Sequence, residues 1–326
     1  MISPHDIFTI SNHKQFEKIA LKVFRFQYEN NSVYREFCEL LKVEKGSVKS
    51  LQQIPFLPIQ FFKSHDVVSS SEAIQKTFTS SGTTGITTSK HRITDISLYE
   101  ESYRLAFSVF YGNIEDYAVI ALLPSYLERE GSSLIYMAND LIERSNNENS
   151  GFYLHNYDEL ISKVIELDNS GQNVLLIGVT YALLDVIEKQ NFQLKNTIIM
   201  ETGGMKGRRK EIIREELHTL LCNGFGVSNI HSEYGMTELL SQAYSFGNGV
   251  FECPNWMHIL IRDTEDALTY VSNGKTGGIN VIDLANMNSC SFIATQDLGK
   301  KFDNNSFEVL GRFDNSDIRG CNLMVI

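Results

Sequence analysis

The sequence predicts an α/β fold built around a parallel sheet, with a smaller β-rich part at its C-terminal end. Two observations lead to this prediction. Short apolar runs alternate with amphipathic helical segments over residues 100–240, which is typical of βαβ units. Beyond residue 240 the pattern changes to short apolar runs separated by Gly, Asn and Asp turns, which favours a small barrel or an antiparallel sheet. A chain of 326 residues is long enough to bury one large core or two smaller ones.

The N-terminal part is predicted to be helical first and extended afterwards. Apolar residues recur at helical spacing over residues 14–42. The segment Ile54–Lys63 is apolar but contains two prolines. Because proline removes a backbone donor and restricts the residue before it, we expect this segment to be extended or rich in turns.

The strands and helices of the remaining chain follow from the same periodicities. A helix is expected over residues 95–111, and further helices over Tyr181–Gln190 and Lys210–Leu221. The expected strands are short apolar runs, namely Tyr117–Leu123, Val174–Val179, Thr197–Met200, Met257–Ile261, Leu268–Val271, Ile279–Leu284 and Ser306–Leu310.

Composition excludes several classes of partner and location. The net charge of −11 argues against nucleic acid or an anionic membrane surface. No apolar run approaches the ~20 residues that span a bilayer, and the first residues lack the features of a signal peptide, so we expect a cytoplasmic protein. The five cysteines are odd in number and scattered, which suits reduced thiols.

A run rich in Ser, Thr and Gly, Thr79–Gly85, is the most informative stretch of the sequence. Glycines let the backbone approach a ligand closely, and successive N–H groups with hydroxyls can surround phosphate oxygens. The alternative is a solvent-exposed linker. The run is not a Walker A loop, because no Lys-Ser/Thr follows its second glycine. The candidate phosphate-binding residues are Ser80, Ser81, Gly82, Thr83, Thr84 and Gly85.

A second motif, Tyr234–Glu238, places a hydroxyl and a carboxylate next to each other after a glycine. Thr237 can contact a phosphate oxygen and Glu238 can bind Mg²⁺, which takes one or two carboxylates together with substrate phosphate. The alternative is a strand end that turns into a helix.

The two motifs, in this order and about 150 residues apart, resemble those of the adenylate-forming enzymes. The resemblance implies the fold of the large N-terminal domain of these enzymes. It also implies ATP and AMP as ligands, Thr237 on the phosphate and Glu238 on Mg²⁺. Further segments match in the same order, and they imply roles in nucleotide binding for Gly203, Gly204, Tyr234, Gly235, Asp297 and Arg312.

Three of these segments have a specific counterpart in the family. Gly203-Gly204 resembles the glycine turn that lines the adenine pocket. Thr295-Gln296-Asp297 resembles the motif whose aspartate binds the ribose hydroxyls, with Gln296 in place of a glycine. Gly311-Arg312-Phe313-Asp314 resembles the hinge motif, whose arginine contacts the nucleotide.

The C-terminal end is similar to that of the acyl-protein synthetases of the LuxE family. The sequence ends twelve residues after Asp314, whereas other adenylate-forming enzymes continue into a lid domain, so we expect the lid to be absent. The resemblance implies activation of a fatty acid as its acyl-adenylate. It then implies transfer of the acyl group to a cysteine near the C-terminus, here Cys321, and from there to an acyl reductase or an acyl carrier protein.

The expected organisation has four parts: an N-terminal helical and extended segment (1–78), an α/β nucleotide-binding core (79–240), a β-rich subdomain (241–314) and a short tail (315–326). Two other functions remain open. One is an acyl- or aryl-CoA ligase similar to phenylacetate-CoA ligase, and the other is a non-catalytic nucleotide-binding subunit of an acyl reductase complex. Pyrophosphate release separates enzyme from subunit, and dependence on CoA separates the two enzymes.

Overall fold

A computed structural model describes residues 2–80, 88–124, 131–203 and 212–313 of the chain. The chain forms two compact units. One is continuous, Ile74–Pro254, and is called the central unit below. The other combines Met1–Ala73 with Asn255–Ile326 and is called the terminal unit.

The central unit contains a mostly parallel sheet with the strand order β10-β9-β8-β7-β6-β4-β5. The strands from β5 to β8 in this order run parallel, whereas β9 pairs antiparallel with β8, and β10 pairs antiparallel with β9. Its strands are β4 (Tyr117–Leu122), β5 (Gly151–Tyr153), β6 (Asn173–Gly178), β7 (Thr197–Glu201), β8 (His231–Tyr234), β9 (Ala243–Ser245) and β10 (Val250–Glu252).

The direction of the connections reverses between β4 and β6. The chain leaves β4 towards β5 on one side, and it leaves β6 towards β7 on the other. In open α/β sheets, ligands bind outside the carboxyl ends of the strands at such a switch point. The residues that follow β6, β7 and β8 are therefore the first place to look for a binding site.

The helices of the central unit begin and end where the sequence supplies caps. Asp95 accepts a hydrogen bond from the backbone of Ser97, and Ser132 accepts one from Ile135, so that α5 and α6 start with a satisfied donor. Gly171, at positive φ, ends α7. The helices are α5 (Ile96–Tyr111), α6 (Ser133–Ser145), α7 (Tyr157–Ser170), α8 (Thr180–Lys189) and α9 (Arg214–Phe225).

A separate antiparallel hairpin precedes α5 in the central unit. It consists of β2 (Lys76–Thr79) and β3 (Lys90–Ile93), which flank the Ser/Thr/Gly run. At the end of the hairpin, Thr79 pairs with Lys90, and the backbone N–H of Ser80 donates to the carbonyl of Ser89.

The terminal unit packs N-terminal helices with an antiparallel sheet of order β11-β12-β13-β14, to which β1 adds in parallel beside β13. Its helices are α1 (Pro4–Phe8), α2 (His13–Asn30), α3 (Ser32–Leu40) and α4 (Phe61–Ser64). Its strands are β1 (Leu57–Pro58), β11 (Met257–Arg262), β12 (Gly277–Asp283), β13 (Phe292–Lys301) and β14 (Phe307–Arg312).

Buried polar side chains fasten the N-terminal helices to the sheet of the terminal unit. Gln27 donates to the carbonyl groups of Asn286 and Met287 and accepts from the backbone of Ser291. Asn31 caps α3 and donates to the carbonyl of Ser289. These amides add hydrogen bonds to backbone groups of the buried loop 286–291. The helices of the N-terminal segment and the sheet of the terminal unit therefore share one core.

Most predicted elements are confirmed, and the differences include the following four. The helical stretch 14–42 is two helices, because Asn31 leaves the helical conformation to cap α3. The described part of the predicted helix Lys210–Leu221 starts at Arg214, after an extended Ile213, and continues to Phe225. The predicted strand Leu268–Val271 is wrong, since only Tyr270 forms an isolated bridge. Strand β13 had not been predicted. No helix among the described residues is both long and apolar enough to span a bilayer.

Candidate active site

The carboxyl ends of β6 and β7 lie side by side next to the switch point and are joined by backbone hydrogen bonds. The N–H of Thr202 donates to the carbonyl of Gly178 at 3.0 Å, and the N–H of Thr180 donates to the carbonyl of Gly203 at 3.4 Å. Gly203 has a φ of 74°, a conformation that favours glycine. The glycine predicted for the adenine pocket thus occupies a position that suits glycine, whereas Gly204 lies outside the described residues.

A buried carboxylate, Glu201, ends β7 and organises this region. Its Oε2 atom accepts a hydrogen bond from the backbone of Gly203 at 2.6 Å, and its Oε1 atom lies 3.6 Å from Nε2 of His218. Burial opposes ionisation of Glu201, but the contact with His218 and the positive charge of Arg214 bring its pKa below the ordinary value. Glu201 is therefore an anion that holds the backbone after β7 in place.

A second acidic side chain, Glu233, lies on the neighbouring strand β8. Loss of solvation raises the pKa of Glu233 to about 8, and the charge of Glu201 adds to the rise. A side chain at Gly235 would collide with the carboxyl group of Glu233, so the glycine leaves room for it. Two carboxyl groups with pKa values moved in opposite directions are typical of functional sites, although structural networks also produce them.

The second motif follows β8 directly. Tyr234 is buried and its ring packs edge-on against Phe251 at 5.9 Å. The register of β7 with β8 pairs Glu201 with Ser232, so Gly203 and Tyr234 extend from neighbouring strand ends. The chain then turns, and Glu238 is buried, with 5% of its side chain exposed. Thr237 and Glu238 thus follow a strand at the edge of the sheet where ligands bind.

His91, a buried histidine on β3, fixes the backbone of Thr237. Its Nδ1 atom lies 2.8 Å from the carbonyl oxygen of Thr237. A carbonyl oxygen can only accept, so Nδ1 carries the proton. This contact brings the hairpin that carries Ser80 next to the Thr237 motif.

Ser80 is the one predicted phosphate-loop residue within the described part of the chain, and it forms the base of the loop. Its hydroxyl oxygen accepts a hydrogen bond from the backbone N–H of Ser89 at 2.9 Å, while its own N–H donates to the carbonyl of Ser89 at 3.1 Å. The other predicted members, Ser81, Gly82, Thr83, Thr84 and Gly85, lie outside the described residues.

Asp297 and Arg312, the predicted ribose and hinge residues, belong to the terminal unit. They are register partners on β13 and β14, and Nε of Arg312 lies 3.4 Å from Oδ1 of Asp297. Asp297 is buried, whereas 83% of the Arg312 side chain is exposed. The backbone N–H of Asp297 donates to the hydroxyl of Thr295. The structure therefore brings these two residues together as a pair.

Three of the four cysteines in the described residues have the environments of packing side chains. Cys38 and Cys290 are buried, and Cys222 is half-buried, as is the fourth, Cys253. Burial raises the pKa of Cys38 to about 12 and also raises those of Cys222 and Cys290, so the reactive thiolate is disfavoured at all three. Cys321 lies outside the described residues.

Sequence reasoning missed Glu201, Glu233 and His91. Glu201 carried a usable signal, because it follows the apolar run Ile198–Met200 at the carboxyl end of a predicted parallel strand. Glu233 and His91 carried none, since their roles depend on neighbours that are distant in sequence. Among the described residues, no three His, Cys, Asp or Glu side chains are grouped as a metal site.

Comparison with known proteins identifies the family. The sequence model of the acyl-protein synthetase family LuxE matches residues 3–106 and 145–326, most of the chain. The protein belongs to the LuxE family. It is 24% identical to the long-chain-fatty-acid–luciferin-component ligase of Vibrio harveyi, over 97% of this chain and 88% of that protein. It is 25% identical to the Aliivibrio fischeri protein of the same name, over 87% of this chain and 78% of the other.

Solved structures with the same fold are adenylate-forming ligases. A 2-hydroxyisobutyryl-CoA ligase in complex with 2-HIB-AMP and CoA aligns with a TM-score of 0.69 at 14% identity, over 96% of this chain and 71% of that chain. ATP-bound MatB from Rhodopseudomonas palustris aligns with a TM-score of 0.54 at 16% identity, over 74% of this chain and 49% of that chain. The LuxE-family chain therefore has the fold of the N-terminal part of adenylate-forming ligases.

Proposed function

We propose that this protein activates a fatty acid with ATP and then carries the acyl group on Cys321. In the first step a carboxylate oxygen of the acid attacks the α-phosphorus of ATP, forming acyl-AMP and releasing pyrophosphate. In the second step the Cys321 thiolate attacks the acyl carbonyl carbon, forming a thioester and releasing AMP. The thioester then passes its acyl group to a reductase or an acyl carrier protein.

The observation that carries this proposal is the position of Thr237 and Glu238. In a chain of the LuxE family, these two residues follow β8 at the carboxyl edge of the parallel sheet, and His91 holds their backbone. Donors that are fixed in advance and aimed at developing charge are often the largest contribution to catalysis. Thr237 would donate to an oxygen of the reacting phosphate, together with the loop that starts at Ser80.

The carboxylate of Glu238 fits Mg²⁺ chemically. It is a hard oxygen ligand, and it stands next to a hydroxyl that can share a phosphate with the metal. Bound Mg²⁺ would neutralise phosphate charge and favour departure of pyrophosphate. Glu238 would hold the metal. The residues that would line the nucleotide are Gly203, Gly204, Tyr234 and Gly235. Asp297 would bind the ribose, and Arg312 would contact the nucleotide.

The assignment of the acyl acceptor to Cys321 rests on the family resemblance and on the raised pKa values of three other thiols. Acyl transfer requires a thiolate. Because burial raises the pKa values of Cys38, Cys222 and Cys290, none of these three is suited to act as a nucleophile. The names of the relatives in Vibrio harveyi and Aliivibrio fischeri, long-chain-fatty-acid–luciferin-component ligase, support a fatty acid as substrate and a protein partner as acceptor.

Intact mass spectrometry after incubation with Mg-ATP and fatty acids of 8–18 carbons tests the proposal. Wild type is expected to gain one acyl group that hydroxylamine removes, and Cys321→Ser is expected to release pyrophosphate without gaining it. Cys222→Ser, which removes a half-buried thiol, is the matched control and should be acylated like wild type. An adduct that persists in Cys321→Ser would refute the assigned acceptor, and absence of pyrophosphate release in wild type would refute the activation step.

A further inference from the structure

Three hydrogen bonds hold the ends of β2 and β3, two of them within the hairpin and one to another segment of the central unit. Ser80 and Ser89 close the base of the loop with two hydrogen bonds. The backbone N–H of Thr79 donates to the carbonyl of Gly131 at 2.8 Å. Gly131 has a φ of 86°, and a side chain there would collide with the hydroxyl of Thr79. The strand ends that carry the loop are therefore held in a defined position within the central unit.

His91 lies two residues beyond Ser89 on this hairpin and faces inward. It pairs in register with Phe78, which is also buried. Its ring is completely buried, and Nδ1 donates to the carbonyl of Thr237 at 2.8 Å. The two residues are 146 positions apart in the chain. A hydrogen bond between such distant segments fixes one segment relative to the other, because breaking it leaves a buried imidazole N–H without this acceptor.

We infer that His91 is a positioning residue, which sets the backbone of Thr237 relative to the hairpin and thereby aims the Thr237 side chain at the nucleotide phosphates. The inference rests on the proposed function. The carbonyl that His91 holds belongs to the residue that carries the hydroxyl, so a displacement of this backbone segment would move the hydroxyl as well. Catalytic donors need to be held within about 0.5 Å of the productive geometry by such supporting contacts.

Two substitutions of His91 distinguish the effect of losing the hydrogen bond from the effect of changing the volume of the side chain. His91→Phe keeps a planar aromatic group but has no donor. His91→Asn keeps an amide N–H at the place of Nδ1 in a smaller side chain. Tyr34→Phe in the terminal unit is the control for loss of one buried hydrogen bond, because the Tyr34 hydroxyl donates to the carbonyl of Pro55 at 2.7 Å.

The measurement is steady-state pyrophosphate release with Mg-ATP, a fatty acid and hydroxylamine, which removes the acyl group from Cys321 and so allows repeated turnover. Because small misplacements of catalytic groups cost up to about 100-fold in rate, we expect kcat of His91→Phe to fall by about 10-fold or more. The KM for the fatty acid should stay within about twofold, since uniform binding of the acid is not altered. His91→Asn should recover most of kcat, and Tyr34→Phe should retain it.

The outcomes separate this inference from the proposed function. If wild type releases no pyrophosphate, the proposed function fails. If wild type is active and His91→Phe keeps its kcat, or His91→Asn is as slow as His91→Phe, the positioning role is refuted.

A direct measurement does not depend on activity. In wild type with 15N-labelled histidine, the NMR signals of the His91 ring are assigned by their absence from the spectrum of His91→Asn. These signals should show the proton on Nδ1. A proton on Nε2 alone would contradict the contact and overturn the inference.

Discussion

At the scale of single residues, the most informative contrast is between Glu201 and Glu233. Both are carboxyl groups on adjacent parallel strands, yet their pKa values move in opposite directions. Glu201 has His218 and Arg214 as cationic or donor partners, so it stays ionised. Glu233 has lost solvation beside Glu201, with Tyr99, Tyr111 and Tyr244 within electrostatic reach. One of the two carboxyl groups is therefore charged and the other is neutral.

This contrast predicts how Glu233 affects stability. Its folded-state pKa of about 8 lies above that of an exposed glutamate, so the folded state holds the proton more tightly than the unfolded chain. That contribution to the free energy of unfolding is fully present below the unfolded pKa and is lost as the pH rises to about 8. Glu233→Gln cannot ionise at this position. Its free energy of unfolding should therefore rise by about 2–4 kcal/mol relative to that of wild type between pH 5 and pH 8.5.

Urea unfolding of the two proteins at both pH values measures the difference. Glu101→Gln, which replaces an exposed carboxyl group on α5, should show no comparable trend relative to wild type. A stability difference between Glu233→Gln and wild type that does not grow with pH would contradict a neutral Glu233.

At the scale of elements, Arg262 at the end of β11 joins three strands of the terminal unit. Its guanidinium donates to the carbonyl of Ile279 at 2.8 Å, to the side chain of Asn280 at 2.7 Å and to the carbonyl of Thr295 at 2.6 Å. It also lies over the ring of Phe313, 5.4 Å from the centroid. Arg262 therefore supports both segments that carry the predicted nucleotide residues Asp297 and Arg312.

We expect Arg262→Met to lower the free energy of unfolding by about 2–3 kcal/mol, because it removes three hydrogen bonds from a charged donor to buried acceptors. Arg262→Lys should fall between this variant and wild type, since an ammonium group cannot reproduce the planar fork of donors. Lys45→Met removes a cation from an exposed ion pair with Glu29, and should change stability by less than about 0.5 kcal/mol. Equal losses in Arg262→Met and Lys45→Met, by chemical denaturation, would show that Arg262 is an ordinary surface cation.

The elements also show how far the sequence alone leads. Strands β4, β6 and β7 were predicted because they are buried on both faces and read as continuous apolar runs. Strand β13 was missed because polar residues, Thr295, Asp297 and Lys301, occupy buried positions along it. Such residues are stabilised by partners on other strands, which no local pattern reveals. The candidate site divides in the same way: the motif at Thr237 and Glu238 was predicted, whereas His91 was not.

At the scale of the whole molecule, charge limits how the protein can bind a nucleotide. A protein with a net charge of −11 repels ATP at long range. At the candidate site in the central unit, Glu201 is ionised and Glu238 supplies a further carboxyl group, whereas the raised pKa of Glu233 leaves that group neutral. Binding therefore has to depend on donors of the backbone and hydroxyl groups, on local cations and on Mg²⁺ that arrives with the nucleotide.

This requirement predicts a stabilisation of the whole chain that depends on Mg²⁺. A ligand at 100 times its Kd stabilises the folded state by about 2.7 kcal/mol, so Mg-ATP should raise the Tm of wild type in a thermal unfolding experiment. Glu238→Gln should lose most of the increment that Mg²⁺ adds to ATP, because the variant removes the anionic ligand of the metal. Glu252→Gln, at an exposed position on β10, should keep the full increment. A full Mg²⁺ increment in Glu238→Gln would show that the metal is held elsewhere.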